Sequence, residues 1–351
     1  MTKYIGFCLF ILLLLFGFYI YQNNLASQRQ PLSYDDEQEG LEKQITIRFS
    51  HVVAENTPKG LAAQKFAELV SEKTNGQVKV DIFQNGILYS DGEEYEALKR
   101  GDVEMIAPSF SKLIDTVPQW KVLDLPFIFN RASQVEAVFA GQTSERLLSM
   151  IKDNEVKGLA FWSNGFKQMT NDETPLLEPE DFRGHTFRVM PGSVIEKQFR
   201  LLNAYTVVMP FNEVYQGLET REINGQENTI SNIYSKRLYQ VQQHLTISNH
   251  GYLGYAVMVN KQFWDDLPKD IQGKIQEAMR ETTLWNMKEA AKMNDQQLQH
   301  IKNHSTIQIY HLTEQQKKEW LQTFQPLYKE IEDEIGHDLI ELIKSPPDEE
   351  R

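Results

Sequence analysis

From residue 45 to about 345, short runs with a two-residue apolar period alternate with runs of helical period, and this alternation restricts the chain to an α/β fold with helices covering a sheet. ITIRF (45–49) alternates strictly. Thr57-Pro58 then opens a helix, with Thr57 as cap and Pro58 in the first turn, where its missing N–H costs nothing. Leu61, Ala62, Phe66, Ala67 and Val70 follow at helical spacing. VKVDIF (78–83) is the next strand, a helix runs from Ser90 or Asp91 to Arg100, and EMIAPS (104–109) is a third strand. Further strands are expected at 156–162, 185–190, 206–211 and 255–260. From Pro268 to about Asn303 the helical pattern is nearly unbroken, with Gly273 its only glycine, which suggests a brace across two lobes. A short strand at 306–310 and a helix from Thr313 complete the body, and Ser345-Pro346-Pro347 ends it.

The N-terminus differs from everything that follows. Lys3 precedes an almost wholly apolar run, Tyr4 to Tyr21, about long enough to cross a bilayer, which takes roughly 17–25 residues. No small-x-small cleavage site follows, so residues 1–22 read as an uncleaved signal anchor, with a cleaved signal peptide as the alternative; both export the body. Residues 23–44 are polar and acidic and read as a linker. The sole cysteine, Cys8, lies in the apolar run, so the body has no disulfide and no thiol nucleophile.

The chain's net charge is −13, and because Lys3 and Arg29 are the only charges among the first thirty residues, everything after them carries −15. Such a surface repels nucleic acid and anionic lipid. An anion site on this chain must therefore be a local basic pocket. The P-loop, G-x-S-x-G, H-E-x-x-H and C-x-x-C patterns are absent. His300 and His304 have the spacing of a metal pair, yet no acidic or cysteine ligand follows at a recognisable distance, so they read as a solvated helix face. Glu93-Glu94 reads as a helix start favoured by the dipole, with no chemistry assigned. No metal or cofactor is expected, and no enzyme activity.

FSHVVAENTPKG (49–60), GDVEMIAPSFSKL (101–113), VLDLPFIF (122–129), NGFKQMTN (164–171), PEDFRGHTFRVM (179–190), PFNEVYQGLE (210–219), INGQENTISNIYSK (223–236) and NHGYLGYAVMVNKQFWDDLP (249–268) together resemble the solute-binding proteins of tripartite ATP-independent periplasmic (TRAP) transporters. The likeness is to their C4-dicarboxylate branch, and within it to the Gram-positive dicarboxylate-binding proteins. It covers roughly residues 45–325. Two departures stand out: the family's usual Asp-Gly-Gln-Glu-Asn-Pro reads Asn224-Gly225-Gln226-Glu227-Asn228-Thr229, and a common glycine is Arg221. The resemblance implies a two-lobed periplasmic-binding-protein-like fold, with 45–165 plus 254–293 as lobe I, 166–253 plus 294–345 as lobe II, and 346–351 as a tail.

It also implies capture of succinate, fumarate or malate by hinge closure, for a membrane permease, a dicarboxylate-sensing histidine kinase, or both. Each carboxylate must then meet a fixed donor, because burying an unpaired charge costs several kcal/mol, to order of magnitude. Arg188 sits on an expected strand among apolar neighbours, where a guanidinium is costly without an anion, and the resemblance makes it the carboxylate clamp. Asn228 would add an amide, and Lys167 a point charge where other branches carry a second arginine. Lys59, just inside a helix N-terminus, and Ser109 would meet the second carboxylate. His51, Phe211 and Tyr252 are further cleft-lining candidates. The competing reading is a secreted enzyme acting on a carboxylate; turnover of a bound diacid would distinguish it.

Overall fold

The computed structural model describes residues 44–347, so the expected membrane span, most of the linker and the end of the tail lie outside the described residues. Among the described residues no helix is long and apolar enough to cross a membrane.

Nine strands form one mixed sheet: β1 (Ile45–Ser50), β2 (Val78–Phe83), β3 (Met105–Ile106), β4 (Val156–Asn171), β5 (Thr186–Val189), β6 (Tyr205–Val208), β7 (Gly225–Thr229), β8 (His244–Asn260) and β9 (Gln308–His311). Their order is β2-β1-β3-β8-β4-β7-β5-β6, with β9 also on β8. The two long strands β4 and β8 pair antiparallel and carry the other strands at opposite ends. At one end β3 joins β8 through Met105 and Ile106, bringing β1 and β2 with it. At the other, β7 joins β4 over 225–229 and β9 joins β8 over 308–311, with β5 and β6 beyond β7. The result is a mixed α/β fold of two lobes joined by two continuous strands.

The long strands extend well past the 156–162 and 255–260 expected from periodicity, and β7 was not expected at all. The cause is polar residues that are buried. Where β4 leaves the first lobe its register shifts between Ser163 and Gly165 and again between Lys167 and Met169. The interrupting side chains are hydrogen-bonded inside the molecule: the Asn164 amide donates to Thr229 Oγ1 at 2.6 Å, and Gln168 Oε1 accepts the Ser248 and Asn249 amides at 2.9 and 3.0 Å. All five residues of β7, GQENT, are buried although most are polar, so no apolar alternation marks it.

Helices cover the sheet as the alternation requires. In Pro58–Lys73, Thr57 Oγ1 accepts the Gly60 amide at 3.2 Å and donates to the Ala54 carbonyl at 2.7 Å, so one hydroxyl caps the helix and pins the loop before it. Phe66 of this helix meets Phe49 and Trp162 edge-on over the sheet, and those two rings lie tilted against each other. Thr57→Ala removes both bonds and is expected to cost about 1 kcal/mol, a fall of roughly 2–4 °C in thermal midpoint; differential scanning calorimetry checks it.

The helix Lys269–His304 is the expected brace, 36 residues and about 54 Å long. Asn286 accepts the Ser163 amide at 2.6 Å and donates to the Pro58 carbonyl, at the first-lobe end. Two turns on, Asn294 accepts the Ser231 amide at 2.9 Å and donates to the Asn164 carbonyl at 2.7 Å, at the crossing into the second lobe. The C-terminal helices Glu314–Ile335 and His337–Lys344 touch both lobes. Trp320 donates to the Leu177 carbonyl, whereas Tyr328 donates to Pro126 and the Ile343 carbonyl accepts from Gln134.

Candidate functional site

Arg188 ends in a cavity between the lobes, and chain topology explains why. The parallel strands β1 and β5 both finish at this level, and open α/β sheets hold ligands at the carboxyl ends of such strands. The first lobe contributes Lys59, Asp91, Glu94, Ser109 and Lys112. The second contributes Arg188, Met190, Phe211, Asn228 and Asn232, and β8 adds Leu253 and Tyr255.

Arg188 is 1% exposed. Its Nε donates to the Met209 carbonyl at 2.9 Å, which fixes the guanidinium plane, and the ring of Phe211 lies 6.0 Å away. No acid among the described residues stands within ion-pair distance of it. Burial pushes its pKa down to about 10, so at neutral pH it keeps its charge. Asn228 Oδ1 accepts the Thr229 backbone amide at 3.1 Å and the Asn232 amide at 2.7 Å. A backbone N–H can only donate, so this oxygen is fixed in place and the Asn228 NH2 is left on the other side as a donor.

Across the cavity, Lys59 is fully buried, donates to the Ala107 carbonyl at 2.9 Å and stands 3.9 Å over the ring of Tyr255. Burial lowers its pKa. Ser109 reaches Met190 of the other lobe, 3.6 Å from its sulfur. Lys112 pairs with Asp91.

Five residues expected from sequence therefore share one cavity: Arg188, Asn228, Lys59, Ser109 and Phe211. Three do not line it. Lys167 is turned away into an ion pair with Glu227 at 2.8 Å. Lys167 pairs in register with Thr229, two residues from Glu227, so both side chains share one sheet face as diagonal neighbours. Gly251 leaves Lys167 its path, because a Cβ there would lie 2.6 Å from the lysine Cε. The second oxygen of Glu227 meets His250 Nε2 at 2.9 Å, and His250 Nδ1 meets Ser248 Oγ at 2.7 Å. Burial lowers the pKa of His250 and makes it the neutral tautomer that donates to Glu227. Tyr252 instead bonds Ser163 Oγ and packs among Phe129, Phe139 and Phe166. His51 is buried edge-on to Phe49, and burial together with the Lys59 charge drives its pKa down to about 3, leaving it neutral.

Periodicity missed Asp91, Glu94, Lys112, Asn232 and Tyr255. The helix expected from Ser90 or Asp91 starts only at Glu94 and runs to Arg100, with Asp91 in the turn before it, and nothing in the pattern says that this helix begins at the cleft wall. At the two departures from the family pattern the backbone is accommodated. Arg221 takes the left-handed conformation a glycine would, φ 60. Thr229, in the place of proline, caps the helix Ile230–Ser235 by accepting the Asn232 amide.

The arrangement provides fixed donors facing each other across the cavity. Among the described residues no cluster of three metal-ligating side chains occurs.

Known proteins share this architecture. The family model for bacterial extracellular solute-binding protein, family 7, matches residues 49–334. The C4-dicarboxylate-binding protein DctB of Bacillus subtilis is 49% identical over 327 residues, covering 93% of this chain and 92% of its own. The C4-dicarboxylate-binding periplasmic protein DctP of Rhodobacter capsulatus is 42% identical, covering 87% of this chain and 92% of its own. A TRAP periplasmic solute-binding protein of Sulfurospirillum deleyianum, solved with bound succinate, superposes with a TM-score of 0.82 at 39% identity, covering 87% of this chain and 99% of that one. This chain belongs to family 7 of the bacterial extracellular solute-binding proteins, the DctP family of TRAP solute-binding proteins.

Proposed function

We propose that this protein captures C4 dicarboxylates outside the cytoplasm by closing its lobes around them, with no chemical turnover, and presents them to a membrane partner. One observation carries the reading: the buried guanidinium of Arg188 has no acid partner among the described residues and faces two further cations, Lys59 and Lys112, from the opposite lobe. A dianion with a short carbon chain satisfies both walls. A monocarboxylate held by Arg188 leaves Lys59 with the Ala107 carbonyl but no ligand oxygen to meet, and discrimination by such a penalty is strong. The bound succinate of the Sulfurospirillum relative and the dicarboxylate-binding relatives support the same class of ligand.

In this reading Arg188 and Asn228 hold one carboxylate, and Lys59 and Ser109 receive the other. Lys167 serves by fixing β7 behind Asn228 rather than by contact. The lobes 45–165 plus 254–293 and 166–253 plus 294–345 move about the crossings at 165 and 254, and ligand favours the closed form through its higher affinity for that state. The partner is a permease, and a sensor kinase that reads the closed form is the second role proposed. Residues 4–21 hold the body at the membrane. Co-purification from membranes identifies which partner is engaged.

Calorimetry of the full-length chain tests the ligand. Succinate is expected to release heat and raise the thermal midpoint, with stabilisation of about 2.7 kcal/mol at a hundredfold excess over Kd. Butyrate is expected to bind at least about tenfold more weakly. Absence of heat and of a thermal shift with succinate, fumarate and malate removes the reading; product formed from any of them supports an enzyme instead.

A further inference from the structure

The charged groups lining the cavity do not balance a dianion. They comprise three cations, Lys59, Lys112 and Arg188, and two acids, Asp91 and Glu94. With all five ionised, a bound diacid leaves one negative charge in excess inside a buried space, which is costly. One of the two acids is already matched: Asp91 holds Lys112.

Glu94 is the other, and its surroundings are unusual. It is 1% exposed. Its Oε1 accepts from Ser50 Oγ at 3.1 Å, whereas its Oε2 is buried and has no hydrogen-bond partner among the described residues. A buried carboxylate oxygen without a donor is expensive; a protonated one is itself a donor and can be satisfied by an incoming acceptor. The charged and polar groups that face Glu94 are Ser50 at the end of β1, Lys59 on the first helix, Asp91 before its own helix and Lys112 on the turn after β3, with Arg188 across the cavity. Burial raises the pKa of Glu94 and is opposed mainly by Lys59.

We propose that Glu94 is a specificity-determining residue that takes one proton from solvent as the diacid enters and donates the resulting O–H to the ligand carboxylate on the first-lobe wall. The proposal rests on the dicarboxylate reading above. The bound state is then neutral overall: three cations, one acid and the dianion. The sign follows. Protonated Glu94 is favoured by ligand, so affinity for the dianion falls as pH rises above the pKa of Glu94 in the free protein, by at most tenfold per pH unit.

The test uses the full-length chain with 13C-carboxyl succinate, so that ligand bands move away from protein carboxyl bands. Infrared difference spectra are expected to show a protonated-carboxyl stretch that appears on succinate addition in the wild type and is lost in Glu94→Gln. Calorimetry of the wild type near pH 7.5 in two buffers of different ionisation enthalpy is expected to show net proton uptake. Succinate binding with no new carboxyl band and no proton uptake overturns the role of Glu94 and leaves the dicarboxylate reading intact. A band that persists in Glu94→Gln also overturns it. No succinate binding at any pH removes both together.

Discussion

Arg188→Met is expected to abolish succinate binding and, in the absence of ligand, to leave the protein as stable as the wild type or more so. Both expectations follow from one fact. Among the described residues no acid stands beside the buried guanidinium, and burial has moved its pKa well down from the ordinary arginine value, to about 10. Such a shift means that the charged form is disfavoured in the folded state by a few kcal/mol, to order of magnitude. The fold bears that cost in order to keep a bidentate anion clamp ready, and a flexible apolar side chain of similar length relieves it. The Met209 carbonyl loses the donor at 2.9 Å, a smaller penalty of about 1 kcal/mol. Binding changes in the other direction, because the substituted pocket buries a carboxylate with no fork to meet it. Losing one partner of a buried ion pair costs about 3–5 kcal/mol, which is at least two orders of magnitude in Kd. Calorimetry with succinate and scanning calorimetry without it measure the two halves. Binding retained within about threefold would falsify the clamp, since no other group in the cavity offers two parallel N–H bonds.

The same residue shows why part of this site was legible in the sequence. Arg188 stands out because a strand pattern surrounds a cation with apolar neighbours, and only a buried anion or an internal acid can reconcile the two. Lys59 was legible because a helix start signals itself through Thr57 and Pro58. The alternation of periods likewise sufficed for the α/β class and the bracing helix. What escaped was what depends on pairing in three dimensions. Lys167 has a neighbouring-strand acid, Glu227, sixty residues away in sequence, and no local pattern distinguishes a lysine bound for ligand from one bound for Glu227. Glu94 begins a helix as many surface acids do, and only the fold places that helix start at the cavity wall. The crossings of β4 and β8 escaped because buried polar side chains there bond to one another and erase the alternation that marks a strand. The resemblance to a known family supplied Asn228, for which the polar run GQENT gives no periodic reason.

Glu227→Gln is expected to be the most destabilising single substitution away from the ligand, and its effect is expected to shrink in acid. Burial alone would raise the pKa of this carboxyl, but the Lys167 charge and the His250 N–H outweigh it and hold it down to about 2. The amide keeps the shape and removes the charge, leaving the Lys167 ammonium buried without an anion. Loss of one partner of a buried pair costs about 3–5 kcal/mol, a fall in thermal midpoint of roughly 6–12 °C for a protein of this size. The pH dependence has a definite sign. A carboxyl whose folded pKa lies below its unfolded value near 4.5 stabilises the fold above that value and loses this contribution as pH falls toward about 2. The wild type thus loses stability over that window while Glu227→Gln does not, and the difference between them should be constant from neutral pH to about 5 and then narrow. Lys167→Met in the same background removes the stranded cation, so the double variant should recover much of the loss; a thermal double-mutant cycle reads the coupling directly. If the two substitutions instead add, Lys167 has a second anion to hold it, and its exclusion from the ligand cavity needs another cause. The coupling bears on binding as well, because Glu227 anchors β7 between β4 and β5 and Asn228 is the next residue along that strand. Succinate affinity in Glu227→Gln should fall through this displaced amide, and Lys167→Met in the same background should restore it in step with stability.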